Sequence, residues 1–425
     1  MQQENQEKFI KLRNQFSTFT YNHYQFQIIE NKIDMQFDFC LGDETHFQPK
    51  MSLSLGRHAV KEMKKEDIDG LIFHIGMIEL ISYWKVSCAP IVHIRPRTLT
   101  TAQQQWWKKL YWKGLGEFFY QNSITTSMDE FLQFHFDAGV PAIDHFHYQK
   151  ITDTQSTIVP IGGGKDSVVT LEHLRKQQKI IPFIINPRGA TLACARIAGF
   201  PEKDDIVILQ REISPVLLSL NQQGYLNGHT PFSAMLAFYT LLVSYATNTR
   251  NIALSNESSA NEPTIPGTDI NHQYSKSLEF EEDFRQYVHD YMNDCSHYFS
   301  YLRPYRELDI AQFFSKYPHY FPVFKSCNVG SKSDSWCCHC PKCLFAYIIL
   351  SPFIDDKTLI SIFGEDLLNK ASLKEYFDEL SGIAEKKPFE CVGTIDEVNK
   401  ALSMIAESKK EKYLIKHWLV AKKIR

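Results

Sequence analysis

At 425 residues with a formal charge of −3, the chain can hold two or three packed domains and carries no overall field that would draw nucleic acid. Its 30 Phe and 20 Tyr suit packed cores rather than disorder, and no run reaches the ~18 apolar residues of a membrane helix. The polar start Met1-Gln2-Gln3-Glu4-Asn5-Gln6 and the 10 cysteines point to a soluble cytoplasmic protein with thiols or a metal, not a disulfide framework, and to no membrane or nucleic-acid partner.

In chain order, Phe37–Cys40 and Met51–Leu55 alternate like half-buried strands. Asp69–Trp84 reads as a strongly apolar helix, and Ala102–Tyr120 as an aromatic-rich helix whose end bends at Gly114 and Gly116. Residues 1–150 are therefore expected to form an N-terminal α+β domain. Their role is open to substrate recognition or to formation of a homodimer. From residue 151 the pattern alternates. Strands are expected at Thr157–Ile161, Ile180–Asn186, Asp205–Leu209 and Asn251–Ser255, with helices at Asp166–Gln178, Thr191–Ala198 and Pro231–Thr247. Such alternation builds a parallel sheet with helices on both faces, assigned here to residues 151–284. Residues 285–425 read as mostly helical.

In doubly wound sheets ligands sit beyond the carboxyl ends of the strands. Four polar segments are expected there: Gly162–Ser167, Asn186–Ala190 with Arg188, Arg211–Glu212, and Ser255–Glu262. The first is the most informative. An apolar strand runs into Gly162-Gly163-Gly164-Lys165-Asp166-Ser167 and then a helix. Glycines let backbone N–H groups close on an anion, the helix start adds positive potential, and Lys165 and Ser167 supply a cation and a hydroxyl. The spacing is too short for a Walker loop. It resembles the PP-loop of enzymes that split ATP into AMP and pyrophosphate, with Gly162 in place of that motif's first serine; a turn with no ligand is the plain alternative. Asp166 is the candidate to bind or orient Mg²⁺. Further substrate contacts are expected from His229, Asn256, Glu257, Asn261, Asn271, His272 and Lys276, which lie in polar loops. Thr230 and Pro231 read as the N-cap and first residue of the following helix.

Cys327, Cys337, Cys340 and Cys343 have spacing suited to tetrahedral zinc, with a cluster of buried thiols as the alternative. Cys338 should point away, and His339 is a substitute ligand. Cys391, in the polar island Pro388–Thr394, is a candidate proton-transfer thiol, with Glu390 as its substitute. The tail lysines Lys409, Lys410, Lys412, Lys416, Lys422 and Lys423 read as a solvated face.

Taken together, these segments resemble the bacterial UDP-N-acetylmuramoyl-L-alanyl-L-glutamate epimerase family. The resemblance runs through Gly76–Lys85, Gly114–Tyr120, Gly162–Ser167, Leu226–Ser233, Ser255–Ser277, the cysteine cluster and Lys387–Thr394. It implies a PP-loop (HUP-like) α/β fold and an ATP- and Mg²⁺-dependent enzyme of peptidoglycan precursor synthesis. That enzyme would invert the terminal L-glutamate of a UDP-linked muramoyl dipeptide, releasing AMP and pyrophosphate. The rival readings are a PP-loop nucleobase- or tRNA-modifying ligase, which should carry a basic face, and a non-catalytic nucleotide-binding module.

Overall fold

The computed structural model describes residues 2–60, 62–142, 148–265 and 267–424. They form a mixed α/β protein with eleven strands and fifteen α-helices among the described residues. The chain divides into two compact units, each assembled from separate stretches. The first comprises Met1–Ile158, Asp204–Ile252 and Asp269–Tyr298; the second comprises Val159–Lys203, Ala253–Thr268 and Phe299–Arg425.

The first unit is built on a mixed sheet. Thr18–Ile29 and Lys32–Leu41 form a long antiparallel hairpin, from Phe19 opposite Leu41 to Ile29 opposite Lys32, with a register shift between Tyr21 and His23. Lys50–Ser54 pairs antiparallel with Lys32–Leu41 and, on its other edge, with Val207–Glu212. Beyond Thr18–Ile29, Ile91–Ile94 and then Gln133–Phe136 add in parallel. Met35, Phe37 and Phe39 lie in the core as the period of two demands, but Asp38 and Cys40 between them are buried too, so Phe37–Cys40 is covered on both faces rather than half-buried as expected. Strand Val207–Glu212 runs three residues past the expected Leu209. The reason is its pairing: Lys50 stands opposite Glu212 and Met51 opposite Arg211. Arg211 and Glu212 are therefore strand residues, not a polar loop at the sheet's edge.

The helix expected from Asp69 spans Lys65–Trp84 and is buried on nearly every side from Ile68 to Trp84. Such all-round apolarity marks a core helix. Gly76 is where it comes closest to the sheet: a Cβ there would stand 1.9 Å from the Tyr21 hydroxyl oxygen, so only glycine fits. A fully buried charge interrupts this apolar surface near its C-terminal end. Glu79, fully buried, takes two bonds from Arg211, Nε–Oε1 at 2.7 Å and Nη2–Oε2 at 2.8 Å, and a third from the Tyr239 hydroxyl. The aromatic helix is two helices, Thr101–Gly114 and Gly116–Gln121, parted at Leu115. Thr100 and Gln103 form a capping box at the first of them.

In the second unit, Lys165–Leu174 follows the glycine segment, strand Lys179–Ile185 comes next, and helix Gly189–Ile197 follows that strand. After Phe299 the chain is mostly helical, as expected. Pro341–Leu350 is buried from Cys343 to Leu350, and Glu307–Ser315, Lys374–Ser381 and Ile395–Ile405 pack on it. The lysine-rich tail is not wholly a solvated face. Lys409 pairs with Asp356, and Lys412 with Asp366 and with Asp356 at 3.2 Å; Asp356 opens helix Asp356–Phe363 and Asp366 caps the turn Leu367–Asn369.

Candidate active site

The glycine segment lies in the second unit. Gly163 has φ +83°, a conformation glycine adopts without strain. Its carbonyl accepts from the Lys325 amide at 2.8 Å. Gly164 caps helix Lys165–Leu174 with no side-chain hydrogen bond, so the first-turn amides keep their positive potential. At Gly162 a Cβ would meet nothing within 4 Å, leaving that side of the turn open. Ser167 turns its hydroxyl back to the Gly164 carbonyl at 3.0 Å.

Lys165 is buried and its ammonium contacts Asp166 Oδ1 at 2.5 Å and Glu307. Burial alone would lower this lysine, but Asp166 and Glu307 outweigh it and hold the ammonium above the usual range. Burial pushes the Glu307 carboxyl up; Lys165 opposes that push, and Asp166 and Glu257 reinforce it. The Glu307 amide in turn donates to Glu397 Oε1 at 2.7 Å. Two carboxylates thus meet one ammonium, and Glu257 acts on Glu307 as a third acid nearby, a local crowding of acids that a divalent cation would relieve. Asn256 donates to Ser300 Oγ at 3.1 Å, and Glu257 accepts from the Ser259 hydroxyl. Asn261 closes the short 3-10 turn Ser258–Asn261. Arg188 opens helix Gly189–Ile197, with its amide on Thr191 Oγ1 at 2.9 Å. Cys391 is half-buried, in the segment whose Glu390 accepts from Asn328 Nδ2 at 2.8 Å.

His229, Asn271, His272 and Lys276 belong to the first unit, and the two histidines meet at a residue the sequence did not single out, Glu117. His229 Nδ1 lies 3.3 Å from Glu117 Oε2, and His272 Nδ1 also contacts that oxygen. Gln121 holds the other carboxylate oxygen at 2.8 Å, and the two imidazole rings are 4.6 Å apart. Asn271 turns inward locally, accepting from the Gln273 amide. Lys85 is buried beside them, donating to the Gly228 carbonyl and to Thr230 Oγ1 at 2.6 Å. Thr230 is consequently not the helix cap: Phe232–Ala246 begins after Pro231, with no side-chain cap, because the buried ammonium claims the hydroxyl. Burial, then His272, Lys85 and Lys276, push His229 down to about 3. Burial, with Arg211, pulls Lys85 down to about 8.

Comparison with known proteins bears on both clusters. Residues 10–301 match the MurL N-terminal domain and residues 323–423 the MurL C-terminal domain. The UDP-N-acetyl-alpha-D-muramoyl-L-alanyl-L-glutamate epimerase of Salinispora tropica is 32% identical over 92% of this chain and 85% of its own length. The chain belongs to the MurL family. The protein of the same description from a Micromonospora strain is 31% identical over 92% of this chain and 87% of its own length, and that of Xanthomonas oryzae pv. oryzae 33% over 78% and 73%. In this MurL-family chain the N-terminal match spans the Glu117 cluster and the glycine segment, and the C-terminal match spans all four cysteines. Glu117 and Lys85 stand in Gly114–Tyr120 and Gly76–Lys85, segments that carried the family resemblance. That resemblance was the signal that could have found them. Glu307 had none: it opens an ordinary amphipathic helix.

Proposed function

We propose that this MurL-family protein inverts the α-carbon of the terminal L-glutamate in UDP-N-acetylmuramoyl-L-alanyl-L-glutamate, consuming ATP and yielding AMP and pyrophosphate. The observation that carries this reading is the match to both MurL domains, together with relatives bearing that epimerase name over 92% of the chain.

The chemistry explains why ATP is needed. Removing a proton next to a carboxylate would place a second negative charge beside the first. In the proposed route the carboxylate of the inverted carbon attacks the α-phosphorus of ATP, and pyrophosphate leaves. The resulting acyl-AMP accepts the carbanion's charge as an enolate. A base takes the α-proton, an acid returns one to the opposite face, and water cleaves the anhydride to release AMP. The Gly162–Gly164 turn and the open helix start supply amide donors for the phosphates. Asp166, Glu257 and Glu307 are the residues that would hold Mg²⁺, which offsets phosphate charge. Lys165, now shared between carboxylates, would serve the pyrophosphate.

For the proton carriers, magnitude decides between the groups near Glu117. His229, at about 3, is too weak a base at neutral pH, whereas Lys85, at about 8, lies close to the operating range. Lys85 is therefore the candidate proton carrier of the first unit. Pyrophosphate–ATP exchange tests the activation step. Labelled pyrophosphate should enter ATP only when the muramoyl dipeptide is present, and Lys165→Ala should cut the exchange by at least ~100-fold while leaving the circular dichroism spectrum intact. Exchange that needs no dipeptide, or that the substitution leaves unchanged, contradicts the reading.

A further inference from the structure

Four sulfur atoms converge in the second unit. Cys327 Sγ and Cys340 Sγ are 3.9 Å apart, Cys337 Sγ and Cys343 Sγ 3.7 Å, and Cys340 Sγ and Cys343 Sγ 3.5 Å. A disulfide needs about 2.05 Å, so these are not bonded pairs. Four thiolates about 2.3 Å from a zinc ion stand roughly 3.8 Å from one another along the edges of a tetrahedron. The observed separations bracket that value. Two amides point at sulfurs: Gly330 N–H at Cys327 Sγ (3.1 Å) and Cys343 N–H at Cys340 Sγ (3.4 Å). Such bonds stabilise a thiolate and fix its direction. The fifth cysteine in the stretch is turned out: Cys338 has φ +61° and its thiol contacts the Phe363 carbonyl at 3.0 Å. His339 bonds its own loop, at Cys337 O, and is exposed.

The loop between the first two ligands reaches back to the two polar turns of the sheet. Ahead of Cys327, the Lys325 amide bonds the Gly163 carbonyl, and Ser326 Cβ lies 3.2 Å from where a Gly164 Cβ would stand. Between Cys327 and Cys337, Asp334 (φ +49°) receives the amides of Gly189 at 2.8 Å and Ala190 at 2.9 Å, capping helix Gly189–Ile197 from outside its own segment. Gly330 is obligatory in this loop, since a Cβ would stand 2.1 Å from the Ser335 carbonyl oxygen.

We propose that Cys327, Cys337, Cys340 and Cys343 bind one structural Zn²⁺. Its work is to hold residues 325–334 so that Lys325 and Asp334 fix the Gly163–Gly164 and Gly189–Ala190 turns. With four protein ligands the site is closed and plays no part in the reaction. Only the service to a nucleotide rests on the proposed function; the ion and the bracing stand on the geometry.

The test begins with elemental analysis of the purified full-length protein. One zinc per chain is expected, retained in Cys338→Ala and lost in Cys340→Ser. Absence of metal, or iron with inorganic sulfide, overturns the assignment. Should Cys340→Ser fail to fold, cobalt exchanged into the intact protein replaces it as the readout: strong visible absorption of tetrahedral thiolate cobalt is expected, and weak octahedral bands refute the site. Hydrogen exchange then reads the brace. Stripping zinc, or Asp334→Ala with zinc retained, should speed exchange of the Gly189 and Ala190 amides by about tenfold or more, and unchanged protection refutes the bracing role. These readouts use neither ATP nor the dipeptide, so their failure is separable from failure of the epimerase reading.

Discussion

His74 shows how one buried side chain sets an acid limit on stability. It is fully buried, its Nδ1 meets the Gly70 carbonyl at 2.7 Å, and its Nε2 meets the Tyr287 hydroxyl at 3.0 Å. That hydroxyl oxygen already accepts from Trp107 Nε1 and Gln103 Nε2. It therefore donates to His74, and the network assigns the proton of the neutral ring to Nδ1. Burial pushes this imidazole down to about 4. An ordinary histidine titrates near 6.5, so between those values the unfolded chain binds the extra proton and the native state does not. Stability is then full above about 6.5 and falls as the pH drops toward 4, by up to ~3 kcal/mol. His229 acts in the same sense. Urea unfolding across that window should show the decline, with a shallower slope in His74→Gln. A flat wild-type profile contradicts the assignment.

Among elements, the Glu79–Arg211 pair ties the core helix Lys65–Trp84 to strand Val207–Glu212. Removing one partner of a buried pair leaves an uncompensated charge, whereas replacing both can be nearly neutral. Glu79→Gln should therefore cost about 3 kcal/mol or more, and Glu79→Leu with Arg211→Met far less, both read as shifts in urea midpoint. A single substitution costing under about 1 kcal/mol would show that the pair holds nothing together. The elements themselves were largely legible in the sequence. The strands around Phe37 and Met51 showed through their period of two, the core helix through its continuous apolarity, and the glycine turn through its flanks. Long-range pairing was not. Nothing local says that Arg211 lies opposite Met51, that Thr230 answers to Lys85, or that Glu117 collects two histidines from loops more than a hundred residues away. Four cysteines could be recognised as a set because ligand spacing is itself local; Glu307 could not, because its meaning lies in Lys165.

At the scale of the molecule, each compact unit is assembled from three stretches of chain, while the two MurL domain matches, 10–301 and 323–423, are consecutive. The glycine turn takes Glu307 and Lys325 from after the stretch that ends at Lys203. A single alternating sequence pattern cannot reveal an interleaving of that kind. The proposed reaction is a property of the entire chain. Its most direct measurement is to incubate the full-length protein with ATP, Mg²⁺ and the UDP-linked L-Ala-L-Glu muramoyl dipeptide in deuterium oxide, followed by chiral and mass analysis of the glutamate. One deuterium on the α-carbon of newly formed D-glutamate, with AMP appearing alongside, is the predicted result. D-Glutamate that retains its original hydrogen, or L-glutamate left unchanged and undeuterated with ATP present, would contradict it.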